Sequence, residues 1–386
     1  MNNELARFST NKTVNQINLK PKKTKILLVV ANLGKGGMER QLTLLLSAGV
    51  DPSLSFDIAL FRNKIEYPVP SNIKLIQLNK KNKIDIPFLF RLFKLLCDSS
   101  YDIIHSKMPG VNEYIIVLSS LLRKKNFIIE FRSSGSWEYL NYKKAAILLR
   151  IFGLKHCRIV CNSEKALREM EKEFKSFHLF PKAICIKNGI DLDRFSKKTK
   201  TLNPDEFLIG FVGRIDPQKN LFCLIEAFAL FKKDLISHSQ VIPRLQIFGH
   251  AIDNSYLLAI RNFIKSLELE QTITILDPVD NIEECYNKFD LFVLPSHEEG
   301  TPNVLLEAMA CELVCLASTG ANTDKFLMDA FTFPSKESQR LFSLIKRTYS
   351  APQNELLDIG RSNRAFVINN FALSKMVNQY EALWHQ

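Results

Sequence analysis

Two carboxylates, Glu299 and Glu307, flank a turn in the second half of the chain. Residues 290–294 before them form an apolar run of strand length, so the turn is expected at the carboxyl end of a buried parallel strand, where open α/β sheets bind ligands. Thr301 is expected to cap the following helix, and Pro302 to be its first residue. The free amides of that helix terminus would suit an anionic or hydroxyl-rich ligand. A solvated or salt-bridged role for Glu307 is the alternative.

A pair of cations could bind the phosphates of such a ligand. Arg214 and Lys219 follow the apolar run 207–212, around a proline turn, and Gly213 allows the backbone to approach a ligand closely. Fixed cations that converge on one anion would stabilise the charge that grows on a leaving diphosphate when its bond breaks. Two separate solvated cations are the alternative.

The elements that must position these residues are short apolar runs that alternate with helical spacing. Predicted strands in the first half are residues 25–31, 57–61, 73–78, 102–105, 127–131, 158–161 and 183–186. Those in the second half are residues 207–212, 244–248, 272–276, 290–294 and 314–317. Two Rossmann-like α/β domains joined near residue 200 account for this pattern. The predicted division is a disordered lead-in over 1–24, a first domain over 25–198, a second over 199–365 and a terminal helix within 366–386.

Composition indicates a soluble globular protein. The chain has 386 residues, 46% of them hydrophobic, and no apolar run approaches the roughly 20 residues that a membrane span needs. The polar N-terminal segment resembles neither a signal peptide nor an anchor, so a cytoplasmic location is expected. The eight cysteines form no Cys-x-x-Cys pair, and we expect reduced thiols and no metal site.

The chain has a net charge of +12. Its basic residues are concentrated in the first half, with clusters at 80–83, 123–125 and 143–144. These clusters could contact anionic lipid headgroups or a phosphate-bearing acceptor. A merely lysine-rich surface is the alternative. Nucleic acid is disfavoured as a partner, because the clusters show no interleaved aromatic residues and no recognised binding module.

A glycine-rich loop follows the first predicted strand. Gly34 and Gly36 begin a possible dinucleotide-binding fingerprint, but Glu39 stands where its last glycine is needed, so that fingerprint fails. A plain tight turn is the alternative for this loop.

Three motifs resemble those of glycosyltransferase family 4, the large retaining group with the GT-B fold. They are Gly-Gly-Met-Glu-Arg from Gly36, Gly-Arg-x-x-x-x-Lys from Gly213, and Pro-Ser-x-x-Glu-Gly-Thr-Pro-Asn from Pro295. Asn162-Ser163-Glu164 and Asn188-Gly189-Ile190-Asp191 add to the resemblance, which covers roughly residues 25–325. It implies two Rossmann-like domains that face each other across a cleft, with a C-terminal helix that crosses back to the first domain.

The resemblance also implies roles for individual residues. The expected donor site has Glu299 with Gly300, Thr301, Pro302 and Asn303 at the sugar, Glu307 at the ribose, Gly213, Arg214 and Lys219 at the diphosphate, and Val279 and Ile282 at the base. Gly36 and Gly37 are expected to bind the donor from the facing wall of the cleft, with His105, Arg132 and Ser133 on the acceptor side. Glu299, Arg214, Lys219 and Arg132 form the expected catalytic set. Asp191-Leu192-Asp193 is expected to be a hinge and cap, and neither a metal nor another cofactor is expected.

Arg132 is the main departure from the family pattern. Family members often carry a histidine after the strand that matches residues 127–131. Arginine cannot act as a base, but it can donate hydrogen bonds to a diphosphate or to an acceptor oxygen. For His105, the alternative to an acceptor-side role is a structural role at the end of a strand.

The predicted function is therefore retaining transfer of a hexose or N-acetylhexosamine from a nucleotide sugar, UDP-linked by expectation. The acceptor would be a glycan or a polyprenyl-diphosphate-linked glycan in the biosynthesis of O-antigen, capsule or lipopolysaccharide, with peripheral work at the inner face of the cytoplasmic membrane. A non-catalytic GT-B scaffold is one alternative, disfavoured by the intact Arg214, Lys219, Glu299 and Glu307. A GT-B epimerase or phosphorylase is the other, disfavoured by the wording of the motifs.

Overall fold

The protein is described by a computed structural model. The described residues are 23–34, 36–122, 126–132, 136–152, 157–179, 182–198, 205–236, 241–322 and 324–386, with the backbone alone for 136–139.

The first half of the chain forms a parallel sheet of seven strands with helices on both faces. The strands are β1 (Thr24–Val30), β2 (Leu54–Leu60), β3 (Lys74–Gln77), β4 (Ile103–Ser106), β5 (Asn126–Phe131), β6 (Cys157–Cys161) and β7 (Lys182–Cys185), in the spatial order β3-β2-β1-β4-β5-β6-β7. The helices are α1 (Gly37–Ser47), α2 (Ile86–Cys97), α3 (Val111–Ser119), α4 (Ser136–Phe152) and α5 (Glu164–Ser176). Leu28 packs with α1 on one face and Leu27 with α2 and α3 on the other, so β1 is apolar without alternation.

The second half forms a parallel sheet of six strands. They are β8 (Glu206–Val212), β9 (Ile242–Phe248), β10 (Ile273–Leu276), β11 (Leu291–Leu294), β12 (Val314–Ser318) and β13 (Thr332–Phe333), in the order β10-β9-β8-β11-β12-β13. The helices are α6 (Leu221–Ile236), α7 (Asn254–Ser266), α8 (Ile282–Tyr286), α9 (Asn303–Ala310), α10 (Ser338–Tyr349) and α11 (Gln353–Phe371). Every predicted strand is present. The sequence missed β13, because two residues carry no periodic signal.

The chain then returns to the first sheet. At Ala372 the backbone is extended and helix α11 ends, while Ile190 pairs with this point through its N–H to Phe371 O and its carbonyl to Leu373 N. Helix α12 (Leu373–Trp384) packs Tyr380 and Trp384 into the core beneath β1 and β4. The predicted crossing helix is confirmed, although it begins at Leu373 and not at residue 366, because residues 366–371 belong to α11.

Within the described ranges, no helix is long and apolar enough to cross a membrane. All eight cysteines are free thiols. Together the two sheets place the loops after β1, β5, β8 and β11 at carboxyl strand ends, which is where a ligand of such a fold binds.

Candidate active site

The turn between β11 and α9 faces the first domain. Helix α9 begins at Asn303 with Pro302 in the N-cap position and no side-chain cap, so the predicted capping by Thr301 is wrong. The Thr301 hydroxyl instead donates to the backbone oxygen of Asn162, 3.1 Å away in the first domain. The amides at the start of α9 therefore lack a side-chain acceptor from this threonine and remain suited to a ligand.

Glu299 lies against Lys219. The carboxylate accepts a hydrogen bond from the ammonium group, and each side chain is only about one-tenth exposed. Asp216 fixes the lysine backbone, since its side chain accepts from the amide of Lys219 at 3.2 Å. Lys219 and Glu299, which are 80 positions apart in the sequence and were predicted to share one site, are thus in direct contact.

The Arg214 guanidinium contacts different residues from the Lys219 ammonium group. Its Nε lies 3.2 Å from Asp216 Oδ2 and its terminal nitrogen donates to Gln218 Oε1 at 3.1 Å, with the side chain 56% exposed. Asp216 therefore contacts the Arg214 guanidinium and the Lys219 backbone, while the Lys219 ammonium group pairs with Glu299. Convergence of both on one anion stays a prediction.

Glu307 is buried and paired across the cleft. Arg40 NH1 lies 2.7 Å from its Oε1, and the Tyr286 hydroxyl donates to its Oε2 at 3.1 Å. Burial raises the pKa of the carboxyl, and the charge of Arg40 and the Tyr286 hydrogen bond only partly oppose that rise. The carboxylate is thus salt-bridged and not solvated, its role at the ribose stays a prediction, and Arg40, although inside a quoted motif, was missed as a site residue.

The glycine loop forms part of the facing wall. Helix α1 begins at Gly37, and a Cβ atom added there would lie 3.7 Å from Asn303 Nδ2 of the second domain. Glu39 folds back so that a Cβ on Gly36 would meet its Oε2 at 2.3 Å, and burial raises the pKa of that carboxyl. The N-termini of α1 and α9 therefore approach each other at the cleft.

Arg132 lies on the same wall and is held at both ends of its guanidinium. One terminal nitrogen lies 2.9 Å from Glu130 Oε1, and the other donates to Asn188 Oδ1 at 2.6 Å. Asn188 in turn donates to Asn303 Oδ1 at 2.8 Å. Ser133, the other predicted acceptor-side residue of this loop, lies outside the described residues.

His105 does not reach the cleft, and its predicted acceptor-side role is wrong. The side chain is fully buried, and its Nδ1 accepts from the indole of Trp384 at 3.2 Å. Burial, with the nearby charge of Lys107, lowers its pKa to about 4, so the ring is neutral at physiological pH. No local signal could show this, because the tryptophan comes from the crossing helix.

The predicted base-reading segment borders the carboxylate site. Ile282 begins α8, Tyr286 ends it, and that tyrosine is the hydrogen-bond partner of Glu307. Val279 is more than one-third exposed in the preceding loop, and Gly213 directly follows β8, with its amide donating to Phe248 O at 3.0 Å.

Asp191 accepts from the amides of Asp193 and Arg194, as a cap would. Nowhere in the described ranges do three or more His, Cys, Asp or Glu side chains form a group that could hold a metal ion.

Comparison with known proteins defines the class. Residues 193–362 match the family model for glycosyl transferases group 1. The structure of HepE from Anabaena, in complex with UDP and glucose, superposes with a TM-score of 0.75 at 18% identity, over 94% of this chain and 100% of that one. The protein is a glycosyltransferase with the GT-B fold, and the match to the group 1 family model lies in its second half.

Two relatives cover most of the chain. An N-acetylgalactosamine-N,N'-diacetylbacillosaminyl-diphospho-undecaprenol 4-alpha-N-acetylgalactosaminyltransferase of Campylobacter jejuni is 28% identical, over 80% of this chain and 84% of its own length. A UDP-Gal:alpha-D-GlcNAc-diphosphoundecaprenol alpha-1,3-galactosyltransferase of Escherichia coli is 26% identical, over 82% of each chain.

Proposed function

We propose that this glycosyltransferase moves a hexose or N-acetylhexosamine from a UDP-sugar to a polyprenyl-diphosphate-linked glycan during assembly of a cell-surface polysaccharide. Two relatives that each match about four-fifths of the chain are named for transfer to diphospho-undecaprenol glycans, one of them from UDP-galactose. The proposal extends their substrate class to this chain and leaves the particular sugar open.

The proposal rests on the start of α9, where the two walls of the cleft meet. Lys219 and Glu299 lie in contact on one side, Glu307 on α9 pairs with Arg40 of the first domain, and Arg132 reaches Asn303 through Asn188 from the other side. Cations, carboxylates and free helix amides are therefore gathered in one cleft between two domains. A nucleotide sugar, with a diphosphate at one end and hydroxyls at the other, has groups to match each of them.

In the proposed complex, Lys219 and Arg214 bind the donor diphosphate and stabilise the charge that develops on it as the glycosidic bond breaks. Glu299 and the amides of Gly300, Thr301 and Asn303 bind the sugar, Glu307 binds the ribose, and the loop at Val279 and Ile282 contacts the base. Gly36 and Gly37 contact the donor from the facing wall, and Arg132 borders the acceptor. We further propose retention of the anomeric configuration, by attack from the face that the leaving phosphate occupies, and no requirement for a metal ion.

A panel of nucleotide sugars, tested with a polyprenyl-diphosphate-linked acceptor, is expected to give transfer from one or two UDP-sugars. Proton NMR of the product should show an α-linkage from an α-linked donor if configuration is retained, and EDTA should leave the rate unchanged. Donor conversion without any acceptor, or only in the presence of free phosphate, would instead indicate an epimerase or a phosphorylase. Binding of every donor without turnover would indicate a scaffold protein.

We also propose that the first domain docks on an anionic membrane surface. Ile84, Ile86 and Phe90, at and before the start of α2, are each more than two-thirds exposed, and the exposed Lys81 and Lys83 lie beside them. Apolar side chains ringed by lysines suit the headgroup region of an anionic bilayer. The basic cluster at 123–125 lies outside the described residues.

Replacing Ile86 and Phe90 together by serine is expected to reduce cosedimentation with phosphatidylglycerol vesicles several-fold at low salt, because apolar area available for insertion is removed. Both side chains are exposed, so the melting temperature should change little. Leu258→Ser, at a leucine of α7 that is also more than half exposed, is the control. Wild-type protein that stays in the supernatant with these vesicles would contradict the docking proposal.

A further inference from the structure

A buried polar cluster lies behind Arg132 and joins three distant parts of the chain. Glu130 at the end of β5, Lys107 after β4 and Tyr380 on α12 are all essentially inaccessible to solvent. The Glu130 carboxylate accepts from Lys107 Nζ at 2.7 Å and from the Tyr380 hydroxyl at 2.9 Å. Arg132 lies 2.9 Å from this carboxylate and the buried His105 Nε2 lies 3.0 Å from it, so one carboxylate organises two cations, a phenol and an imidazole.

The charges of the cluster explain why it is rigid. Burial opposes ionisation of Glu130, but Lys107 and Arg132 outweigh it and hold the pKa of that carboxyl below its ordinary range. Burial lowers the pKa of Lys107 to about 8. An ionised carboxylate without these partners would be strongly unfavourable here, so each partner is fixed relative to the others.

Arg132 is the member through which the cluster reaches the cleft. Its guanidinium contacts Glu130 on the inside and Asn188 on the outside, and Asn188 contacts Asn303 at the start of α9. A continuous series of hydrogen bonds thus runs from the crossing helix, through Glu130 and Arg132, to the loop proposed to bind the donor sugar.

We propose that Glu130 is a positioning residue for glycosyl transfer: it sets the guanidinium of Arg132 against an anionic oxygen of the bound substrates, and Tyr380 holds Glu130 in place. This inference rests on the proposed function. The anionic oxygen can come from the donor diphosphate or from the acceptor diphosphate. An increase in donor KM in the variants below would assign it to the donor, and an increase in acceptor KM to the acceptor.

The same sheet contains a comparable cluster that provides a control. Asp57 on β2 is buried, and it accepts from the Tyr101 hydroxyl at 2.6 Å and lies 3.1 Å from Lys25 Nζ. Lys25 is near the start of β1 and Tyr101 precedes β4, so these partners lie toward the amino ends of the strands, away from the cleft. A carboxylate, a lysine and a tyrosine recur there without a link to Arg132.

Glu130→Gln is expected to lower kcat/KM about 10- to 100-fold, because a displacement of about an ångström in a substrate-contacting group has an effect of that order. Asp57→Asn should lose similar thermal stability yet keep kcat/KM within about twofold. In the background of Arg132→Ala, adding Glu130→Gln should cause no further loss of kcat, since a residue that acts through Arg132 has nothing left to position.

Tyr380→Phe tests the same path with little risk to folding, and Tyr101→Phe is its control. We expect a several-fold loss of kcat/KM from the first and none from the second. The inference is overturned if Glu130→Gln lowers kcat as much in the Arg132→Ala background as in the wild type, or if Asp57→Asn impairs transfer equally. Wild-type protein that turns over no nucleotide sugar would remove the proposed function itself, and this inference with it.

Discussion

Lys219→Ala is expected to lower kcat by about a hundredfold or more, the usual effect of removing one fixed donor from a developing negative charge. Lys219 Nζ lies against Glu299 and is largely shielded from solvent, so its charge acts through a medium that screens it weakly. Steady-state transfer from the preferred UDP-sugar, with circular dichroism to verify folding, measures the effect. Arg214→Ala should cause a comparable loss of kcat. In the wild type, we expect bound substrate to draw the exposed Arg214 side chain away from Asp216.

Lys346→Ala is the control for Lys219. Lys346 Nζ also forms an ion pair in the second domain, 2.8 Å from Asp234 Oδ1, but on α10 and with an exposed side chain. Its removal should leave kcat unchanged, because an exposed pair contributes little. Turnover near the wild-type rate in Lys219→Ala would show that this lysine does not stabilise the leaving group.

Glu307→Gln is expected to weaken UDP binding about 10- to 100-fold. A hydrogen bond to a charged carboxylate is stronger than one to a neutral amide, by a few kcal/mol at most. Because the pKa of Glu307 is raised, wild-type affinity should begin to fall at a higher pH, on acidification, than an ordinary glutamate would allow. Protonation removes the acceptor of the ribose hydroxyls. Calorimetric titration with UDP across pH measures both effects.

That acidic decrease should disappear in Glu307→Gln, which cannot ionise. Glu206→Gln, which breaks the surface ion pair with Arg244 at the start of β8, should keep both the affinity and the pH profile of the wild type. An unchanged UDP affinity in Glu307→Gln would place the ribose elsewhere.

The sequence was informative where a local pattern and a site coincide. The strands that carry the loops at Gly36, Gly213 and Gly300 were predicted because each is a continuous apolar run, and the crossing helix was implied by the family resemblance. The residues that contact the predicted site residues were not predicted from the sequence. Arg40 meets Glu307, and Tyr380 meets Glu130, only because the second domain and α12 fold back onto the first sheet. No periodicity within one segment encodes such a contact.

The cap at Thr301 failed for a related reason. Its hydroxyl had a good local partner by sequence rules, but a backbone oxygen of the other domain satisfies it instead. His105 was misplaced for a similar reason, since it is buried and its Nδ1 accepts from a tryptophan that comes from α12. Tertiary contacts between distant segments thus determined the roles that single segments left open.

The path of α12 also affects the order in which the protein can be made. Met376, Tyr380 and Trp384 complete the core beneath β1 and β4, yet they are translated after the whole of the second domain. The first domain must therefore leave the ribosome with an open apolar face, and it can close only once its neighbour has been synthesised. Domains in most chains fold in order of synthesis; here the first to emerge is the last to finish.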